Sequence, residues 1–483
     1  MLKTKGEILF ISCYELGHQP LGLAYPIAFL ERAGFQSEAI DLSVQKLDME
    51  QVRRARFIGI SVPMHTALRI GTEVAFRIRE SNPSCHISFY GLYASLNADT
   101  LLEGVADSVI GGEYEIPLLS LVQALASKKE NMVEEEILIN GVSTKRQSAR
   151  PFMSHLPFPV PSRSLLPPLS NYAHLEEKGL KREAAYVEAS RGCRYHCTHC
   201  PIPPVYDGRF FIIPEKVVMS DRAQIVEIGA THITFGDPDF LNGPVHSLRV
   251  VRSLHKAFPD LTFDFTAKVE HLLRYQTLLP EFSSMGCLFI ISAIESLNDA
   301  VLRHLAKGHT RADAIQAIHL TQNAGIALRP SLVPFTPWTT LEDLVDLFQV
   351  IEAEGMIGHV DPVQYSIRLL IPPGSLLLSA NTGSCLGPLD APGFTYRWTH
   401  PDPRIDQIQR LFLKEIEIGM QEGKEPEILF YQLKEMIQAV LENRDAVQIE
   451  KKLQKNQYRA PRLTESWFCC SEPMDSQLSC LQV

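Results

Sequence analysis

The stretch "SRGCRYHCTHC" (residues 190–200) places three cysteines on one short loop, Cys193, Cys197 and Cys200. Their spacing is C-x3-C-x2-C, and the apolar run "AAYVEAS" (184–190) leads directly into them. That run has the length and composition of a buried strand, so the cysteines are predicted to lie at the carboxyl end of a strand. Thiolates are soft ligands that suit zinc or iron–sulfur clusters.

The number of cysteines distinguishes two metal chemistries. A structural zinc ion takes four ligands, and within this loop His196 and His199 are the residues that could complete such a site. A [4Fe–4S] cluster held by three thiolates leaves one iron open for a substrate or cofactor. The spacing favours the cluster, and a zinc loop is the alternative.

Composition limits the class of protein. The 483 residues carry 46 Lys and Arg against 56 Asp and Glu, a formal net charge of −10. A nucleic-acid-binding protein would show a basic balance, so this charge argues against one. The sequence has no run of 18 apolar residues, so no membrane span is predicted. Ten cysteines in this length do not make a disulfide scaffold, which favours a reducing, cytoplasmic setting.

Residues 1–126 alternate short apolar runs with helical stretches. The runs include "EILFIS" (7–12), "FIGISV" (57–62) and "HISFYG" (86–91). Strands that alternate with helices predict a parallel sheet covered on both faces, which is a Rossmann-like, doubly wound α/β domain. Ligands of such sheets bind beyond the carboxyl ends of the strands.

The remaining chain divides by composition into four segments. Residues 127–183 are charged and then rich in proline, which predicts an extended linker on the surface. Residues 184–400 alternate again and predict a partial (β/α)6 barrel with its site at the carboxyl ends of the strands. Residues 401–460 have the periodicity of amphipathic helices, and residues 461–483 form a polar tail that contains cysteines. The six barrel strands are predicted at 184–190, 232–237, 261–267, 287–294, 326–334 and 363–371.

The cysteine loop and its surroundings resemble the radical S-adenosylmethionine (SAM) superfamily. The C-x3-C-x2-C spacing after the first strand of a barrel is the signature of that family, and Arg191-Gly192 and Tyr195-His196 also resemble it. His199, directly before the third cysteine, is less usual there. The resemblance implies a [4Fe–4S] cluster whose open iron chelates SAM, a flavodoxin- or ferredoxin-type reductant, and reductive cleavage of a carbon–sulfur bond of SAM.

The same resemblance implies SAM contacts at several strand ends, with the candidates Tyr195, Asp237, Asp239, Glu295 and Arg368. The two aspartates stand in the loop that would receive the ammonium group of SAM, and Glu295 would accept a ribose hydroxyl. A buried Arg368 would pair with the SAM carboxylate. The plain alternatives are a capped proline turn for the aspartates, a helix cap for Glu295 and a surface position for Arg368.

The front domain resembles the cobalamin-binding branch of this superfamily, through "LGHQPLGLAYPIAFLERAGFQSEAIDL" and "IGGEYEIPLLSLVQAL". That resemblance implies a corrinoid held by glycine-rich loops, with the candidate residues Gly17, His65, Gly91, Gly111 and Gly112. The Asp-x-His-x-x-Gly motif that ligates cobalt in some corrinoid proteins is absent from the sequence. A domain that only docks substrate is the alternative, and a lone loop histidine such as His65 is more often structural.

The end of the chain, "ESWFCCSEP", resembles a radical SAM subgroup with a Cys-Cys pair before Ala-Glu-Pro, with Ser471 in place of the alanine. Adjacent cysteines form only a strained disulfide, so Cys469 and Cys470 favour capture of a soft electrophile such as trivalent arsenic, or redox relay. Cys480 could supply a third sulfur. A tail with incidental cysteines is the alternative.

These observations predict a radical SAM enzyme that acts on a small molecule. With cobalamin, the outcome would be methylation or rearrangement of an unactivated centre. If the tail thiols bind arsenic or a similar element, transfer of a SAM-derived alkyl or 3-amino-3-carboxypropyl group is the alternative. A non-catalytic metal or redox sensor is a third hypothesis, and it differs from the others because it would not cleave SAM.

Overall fold

The computed structural model describes residues 2, 4–127, 139–379, 385–444, 446 and 459–465. The tail thiols Cys469, Cys470 and Cys480 therefore lie outside the described residues. Within the described part of the chain, no helix is long and apolar enough to cross a bilayer.

The front domain is a doubly wound sheet, as the alternating pattern predicts. Its strand order is β2-β1-β3-β4-β5-β6, and every pair is parallel except β5 and β6. The strands are β1 Ile8–Ser12, β2 Glu38–Asp41, β3 Phe57–Ser61, β4 His86–Tyr90, β5 Ser108–Ile110 and β6 Val142–Thr144. The helices are α1 Leu21–Arg32, α2 Met49–Arg54, α3 His65–Ser81, α4 Leu92–Leu96, α5 Ala98–Gly104 and α6 Glu115–Ser127.

The prediction of a surface linker over 127–183 is wrong in part. Strand β6 comes from this segment and extends the front sheet, and Leu156, Phe158 and Leu169 are buried in the main core. The prolines fix extended backbone, but the apolar residues between them bury their side chains against both domains. The segment is therefore a packed connection between the two sheets.

The second sheet is a half-barrel. Its order is β14-β13-β12-β11-β8-β7-β17, and the five strands from β8 to β14 in this order run parallel. The strands of this region are β7 His174–Glu177, β8 Leu180–Val187, β9 Ser190–Gly192, β10 Phe210–Ile212, β11 His232–Phe235, β12 Thr262–Ala267, β13 Cys287–Glu295 and β14 Ala327–Leu332. The helices are α7 Pro203–Tyr206, α8 Glu215–Glu227, α9 Pro244–Ala257, α10 Val269–Arg274, α11 Leu279–Ser284, α12 Asp299–His304, α13 Arg311–Asn323 and α14 Leu341–Ala353.

The partial barrel is confirmed with five parallel strands, and the prediction of a sixth strand over 363–371 is wrong. Residues Pro362–Ser366 form a 3-10 turn, and Arg368 joins β14's continuation by a single parallel bridge to Phe335. Pro362 begins the turn and Pro372 follows the apolar run, and a proline provides no N–H to a ladder. The apolar run "IRLLI" packs into a core without joining the sheet.

The C-terminal extension is helical, as predicted, with an added hairpin and strand. It contains β15 Leu386–Asp390, β16 Thr395–Trp398, α15 Pro403–Gln421, α16 Pro426–Leu441 and β17 Arg462–Leu463. Strand β17 pairs antiparallel with β7 at the edge of the barrel sheet. The first residues of the predicted tail, 461–465, are therefore part of the fold.

A buried arginine joins the two domains. Arg163 donates to both carboxylate oxygens of Asp221 in α8, at 2.7 and 2.8 Å, and to Gln19 Oε1 of the front domain at 2.7 Å. Both charged side chains are almost fully buried. Removal of one partner of such a pair strongly destabilises the fold, because the other partner keeps a buried charge without compensation.

We therefore expect Arg163→Ala to lower the free energy of unfolding by about 3–5 kcal/mol. Arg53→Ala is the matched control, because its pair with Glu50 is exposed and should contribute almost nothing. Urea denaturation of both variants measures the difference. An equal loss in the two variants would contradict the role assigned to Arg163.

Candidate active site

The three cysteines lie at the carboxyl end of β8, where the sequence predicts them. Their loop is closed at its base by an antiparallel ladder in which Gly192 of β9 pairs with Phe210 of β10. Gly192 has a φ of +76°, and a Cβ there would lie 2.4 Å from the carbonyl oxygen of Arg209. Only glycine fits this close approach, so the backbone that leads into Cys193 is held against the Arg209 carbonyl.

The thiols are held in a partly dry environment. Cys197 is buried and Cys193 and Cys200 are half-buried. Burial raises the pKa of Cys193, and it also raises the pKa of Cys200. Burial thus favours the neutral form of Cys193 and Cys200, and ligation would release their protons.

The loop geometry argues against a closed zinc site. His196 points to Asp207 at the surface at 3.3 Å, and His199 Nε2 lies 3.5 Å from Glu295. Neither histidine therefore completes a fourth position beside the thiols. Among the described residues, no group of three or more His, Cys, Asp or Glu side chains is placed to hold a single ion. Three thiols on one loop without a fourth ligand from its histidines suit a cluster with one open iron better than a closed tetrahedral ion.

Asp237 supports the start of the cysteine loop. It follows β11 and accepts hydrogen bonds from Ala189 N at 2.9 Å and from the Ser190 hydroxyl. Burial raises its pKa to about 7, although the bonds from Ser190 and Ala189 lower it. Its carboxylate therefore accepts hydrogen bonds from the residues that lead into the cysteine loop, and it positions that loop.

Asp239 and Tyr195 are joined by a residue that sequence reasoning missed. His271 of α10 lies with Nδ1 2.8 Å from the Asp239 carboxylate and with Nε2 2.8 Å from the Tyr195 hydroxyl. Tyr195 also donates to Glu270 at 3.2 Å, and Lys268 Nζ lies 3.4 Å from the centre of the Tyr195 ring. The loop that carries Asp237 and Asp239, the segment "TAKVE" (266–270) and the cysteine loop thus form one network.

Glu295 lies in a buried polar group beside the cysteines. It ends β13 with a φ of +63°, and Lys307 Nζ donates to its Oε1 at 3.1 Å. Burial alone would raise the pKa of Glu295, but the charge of Lys307 and the contact with His199 outweigh it and lower the pKa to about 2. The second oxygen, Oε2, is buried and makes no hydrogen bond to any described residue. An ionised carboxylate with a free acceptor suits a ligand hydroxyl.

Arg368 has partners in the C-terminal extension. Its guanidinium donates to Asp406 at 2.6 Å and to the carbonyl oxygen of Trp398 at 2.5 Å, and it lies over the Trp398 ring. These contacts use two of the five N–H donors of the guanidinium and attach α15 to the barrel. A contact of Arg368 with the SAM carboxylate stays a prediction.

The glycine-rich end of the front sheet reaches the cysteine loop. The turn at Gly111-Gly112 is followed by Glu113 and Glu115, which meet Arg191 of the barrel at 3.6 and 2.6 Å. Burial raises the pKa of Glu113 to about 7, although the Arg191 charge lowers it. The structure thus brings together two motifs that the sequence places in separate domains.

The candidate corrinoid residues all have neighbours within the chain. A Cβ on Gly112 would lie 2.3 Å from Phe152 O, a Cβ on Gly17 would lie 2.8 Å from Glu465, and a Cβ on Gly91 would lie 3.2 Å from Val62. His65 Nε2 lies 2.8 Å from the carbonyl oxygen of Gly393 in the β15–β16 turn. A role of these residues in corrinoid binding stays a prediction.

A cavity of about 310 Å³ lies at the carboxyl ends of β1 and β2. Its walls come from the front domain, from the connection and from the last described residues. They include Cys13, Gly17, Ser43, Tyr172 and Glu465. Closer to the cysteines, a narrow cavity lies between Tyr93 of the front domain and His199 and Arg368 of the barrel.

Comparison with known proteins identifies the kind of domain that contains the cysteine loop. Residues 187–350 match the radical SAM superfamily. The hopanoid C-3 methylase of Methylococcus capsulatus is 23% identical over 329 residues, which are 66% of this chain and 62% of the methylase. An uncharacterized methyltransferase of Pyrococcus horikoshii is 22% identical over 337 residues, which are 67% of this chain and 71% of that protein. The chain thus spans less than two thirds of the methylase.

Two solved structures share the fold. The cobalamin-dependent radical SAM enzyme OxsB with aqua-cobalamin bound superposes with a TM-score of 0.68 over 92% of this chain and 75% of that chain, at 16% identity. The methyltransferase TsrM from Kitasatospora setae, with cobalamin and a [4Fe–4S] cluster bound, gives 0.56 over 72% of this chain and 70% of that chain, at 17% identity. The α/β architecture is therefore shared, and residues 187–350 match a radical SAM domain, which implies a [4Fe–4S] cluster and SAM.

The buried pair of Glu295 and Lys307 gives a prediction for the cluster-free protein. The folded pKa of Glu295 is about 2, below its ordinary value of 4.5, so its contribution to stability is present above about pH 4.5 and disappears as the pH falls towards 2. Glu295→Gln should therefore be less stable than the original chain at pH 7, with a difference that shrinks in acid. Urea denaturation from pH 7 to pH 3 measures it, and a difference independent of pH would contradict the pairing.

Proposed function

We propose that the chain binds a [4Fe–4S] cluster through Cys193, Cys197 and Cys200 and methylates a small organic molecule with two SAM molecules and two electrons from its reductant. One SAM is reductively cleaved to methionine and a 5′-deoxyadenosyl radical, which takes a hydrogen atom from the substrate and becomes 5′-deoxyadenosine. The other SAM gives its methyl group and leaves as S-adenosylhomocysteine. The observation that carries this proposal is the three-thiol loop at the carboxyl end of β8, inside the radical SAM domain, with both loop histidines turned to other partners. The methylase and methyltransferase relatives support methyl transfer as the outcome.

The chain's own residues would bind and orient SAM around this loop. Glu295 would accept a ribose hydroxyl at Oε2, the oxygen without a partner among the described residues. Asp237 and Asp239 would position the backbone that receives the ammonium group, Asp237 through Ala189 and Asp239 through His271. Tyr195 would keep the cysteine loop beside them. The bound cluster supplies the electron that breaks a carbon–sulfur bond of SAM, and it would receive that electron from a flavodoxin- or ferredoxin-type reductant.

Cobalamin is a second cofactor that the fold neighbours favour, because both are described as cobalamin-bound. The cavity of about 310 Å³ has the size of a site for one drug-sized group, so it suits part of a corrinoid. Ile367, Leu369 and Phe394 share a core with β3 and β4 of the front domain. A corrinoid would therefore be held at the cavity beside β1 and β2, where it would supply a carrier for the methyl group.

Transfer of an alkyl group to a thiophilic element remains the alternative that depends on Cys469 and Cys470. The last described residues, Thr464 and Glu465, line the same cavity, so the tail begins at the carboxyl edge of the front sheet. Cys469 follows Glu465 by four residues in the sequence, and this short separation is what supports the tail-thiol alternative.

Anaerobic reconstitution tests the proposed function. The original chain should bind about four irons, and with SAM and dithionite it should release 5′-deoxyadenosine or S-adenosylhomocysteine, identified by mass spectrometry. Cys197→Ala should lose the iron and the products, because a cluster ligand is missing. Cys85→Ala is the matched control, a buried free cysteine in the front domain that should keep both.

The other outcomes separate the alternatives. A 3-amino-3-carboxypropyl product would favour the tail-thiol hypothesis, and corrinoid in the purified protein would favour cobalamin-dependent methylation. Zinc in place of iron, with intact SAM, would contradict the proposal and favour a sensor.

A further inference from the structure

Strands β13 and β14 present one face to the helices and the other to the interior of the half-barrel. Ile290 and Leu328 are buried in the core that also contains Phe348 of α14, so their face packs against the helices. Side chains alternate along a strand, so Ile291 and Arg329 lie on the opposite face. These two residues are register partners in the neighbouring strands. We call the space in front of this inner face the lumen.

The lumen is closed at one end and accessible above it. Phe289 and Ala327 are buried in a small apolar cluster near the amino ends of their strands. Further along β12 and β13, Thr266, Ile291 and Ala293 are partly exposed, although their neighbours in sequence are buried. A side chain in the middle of a sheet is exposed only where space lies in front of it. The lumen is therefore accessible at the level of the residue that pairs with Ile291.

That residue, Arg329, is a buried cation whose donors are not all used. It is 6% exposed, and its Nη2 donates to Asp361 at 2.6 Å. Its Nη1 makes no hydrogen bond to any described residue. Arg462 also lies 3.4 Å from Asp361, so this one carboxylate is shared between two guanidinium groups. Arg329 therefore keeps a donor and part of its positive charge for another partner.

Ser331 provides a second unused donor on the same face. It follows Arg329 by two residues in β14, and its register partner is the partly exposed Ala293. Ser331 is 4% exposed, and its hydroxyl makes no hydrogen bond within the described part of the chain. Buried polar groups without partners destabilise a fold. Two of them side by side at an accessible lumen indicate that a ligand completes them.

We propose that the lumen binds the carboxylate group of the substrate, with Arg329 Nη1 and the Ser331 hydroxyl as its donors. Arginine pairs with carboxylates through charge-assisted hydrogen bonds, and a serine hydroxyl can donate to the second oxygen. Ile291 and Ala293 lie beside this pair and present apolar groups to the carbon chain that carries the carboxylate. The inference rests on the proposed function, and it names the substrate class as a small carboxylic acid.

The position of this site separates it from the predicted SAM contacts. Glu295, the candidate ribose contact, follows Ile291 by four residues in β13, which is roughly 13 Å along a strand. A substrate held at Arg329 would therefore extend along the lumen towards the carboxyl ends of the strands. Its far end would meet SAM beside the cysteine loop.

Titration calorimetry of the reconstituted full chain tests this site, with hexanoate as the probe and hexanamide as its neutral counterpart. Hexanoate should bind on the order of tenfold more tightly than hexanamide, because only the carboxylate forms hydrogen bonds between charged groups with Arg329. Arg329→Gln should remove this preference. Equal affinity of the original chain for the two probes would overturn the proposal.

Ser331→Ala keeps the test decisive if loss of the Arg329 charge disturbs the fold. It removes one donor to the carboxylate and should weaken hexanoate binding on the order of tenfold. Ser88→Ala is the matched control, because the Ser88 hydroxyl in β4 is also buried without a partner among the described residues but belongs to the front domain. This control should leave the affinity for hexanoate unchanged. An affinity in Arg329→Gln and Ser331→Ala equal to that of the original chain would place hexanoate elsewhere and overturn the proposal.

SAM also carries a carboxylate, so its own affinity identifies the source of the bound group. Titration with SAM should give the same Kd for the original chain and for Ser331→Ala. A tenfold loss of SAM affinity in this variant would assign the site to SAM and overturn its assignment to the substrate. The iron content of the same samples reports on the proposed function separately. Absence of iron from the original chain would contradict that function, whereas normal iron without a preference for hexanoate would contradict only this inference.

Discussion

The buried guanidinium of Arg191 is the constraint on which the site depends. It stands two positions before Cys193, is 6% exposed, and donates to Glu115 of the front domain at 2.6 Å and to Glu188 of the barrel at 2.9 Å. Its flat group also lies over the ring of Tyr25. A buried charge that loses its partner costs about 3–5 kcal/mol. Separation of the domains would incur that cost, so the front domain is held over the cysteine loop.

This contact explains why the two sheets meet by their carboxyl ends. The Gly111-Gly112 turn follows β5, and Arg191 follows β8, so both are strand-end features. Ligands of both fold types bind at those ends. A narrow cavity therefore lies between the two domains, lined by Tyr93 of the front domain and His199 of the cysteine loop.

The C-terminal segment completes the other side of the half-barrel. Arg462 of β17 donates to Glu176 of β7 at 2.8 Å and lies 3.4 Å from Asp361. Asp361 also accepts from Arg329 of β14 at 2.6 Å, so charged groups connect the two edges of the open sheet. A half-barrel exposes strand edges that need cover. The chain that covers them then continues to Glu465, beside the front domain. The Glu465 carboxylate accepts a hydrogen bond from the Tyr14 hydroxyl at 2.8 Å.

The sequence by itself determined the features that depend on neighbouring residues. The cysteine loop after β8, the alternation of strands and helices and the two C-terminal helices all follow from local spacing and periodicity. The tertiary structure decided the rest, because those contacts join residues distant in sequence. Tyr195 meets His271 across 76 positions, and β17 meets Glu176 across 286. No local pattern marks His271 as part of the site or predicts that Arg368 pairs with Asp406 of α15, because only folding brings these partners together.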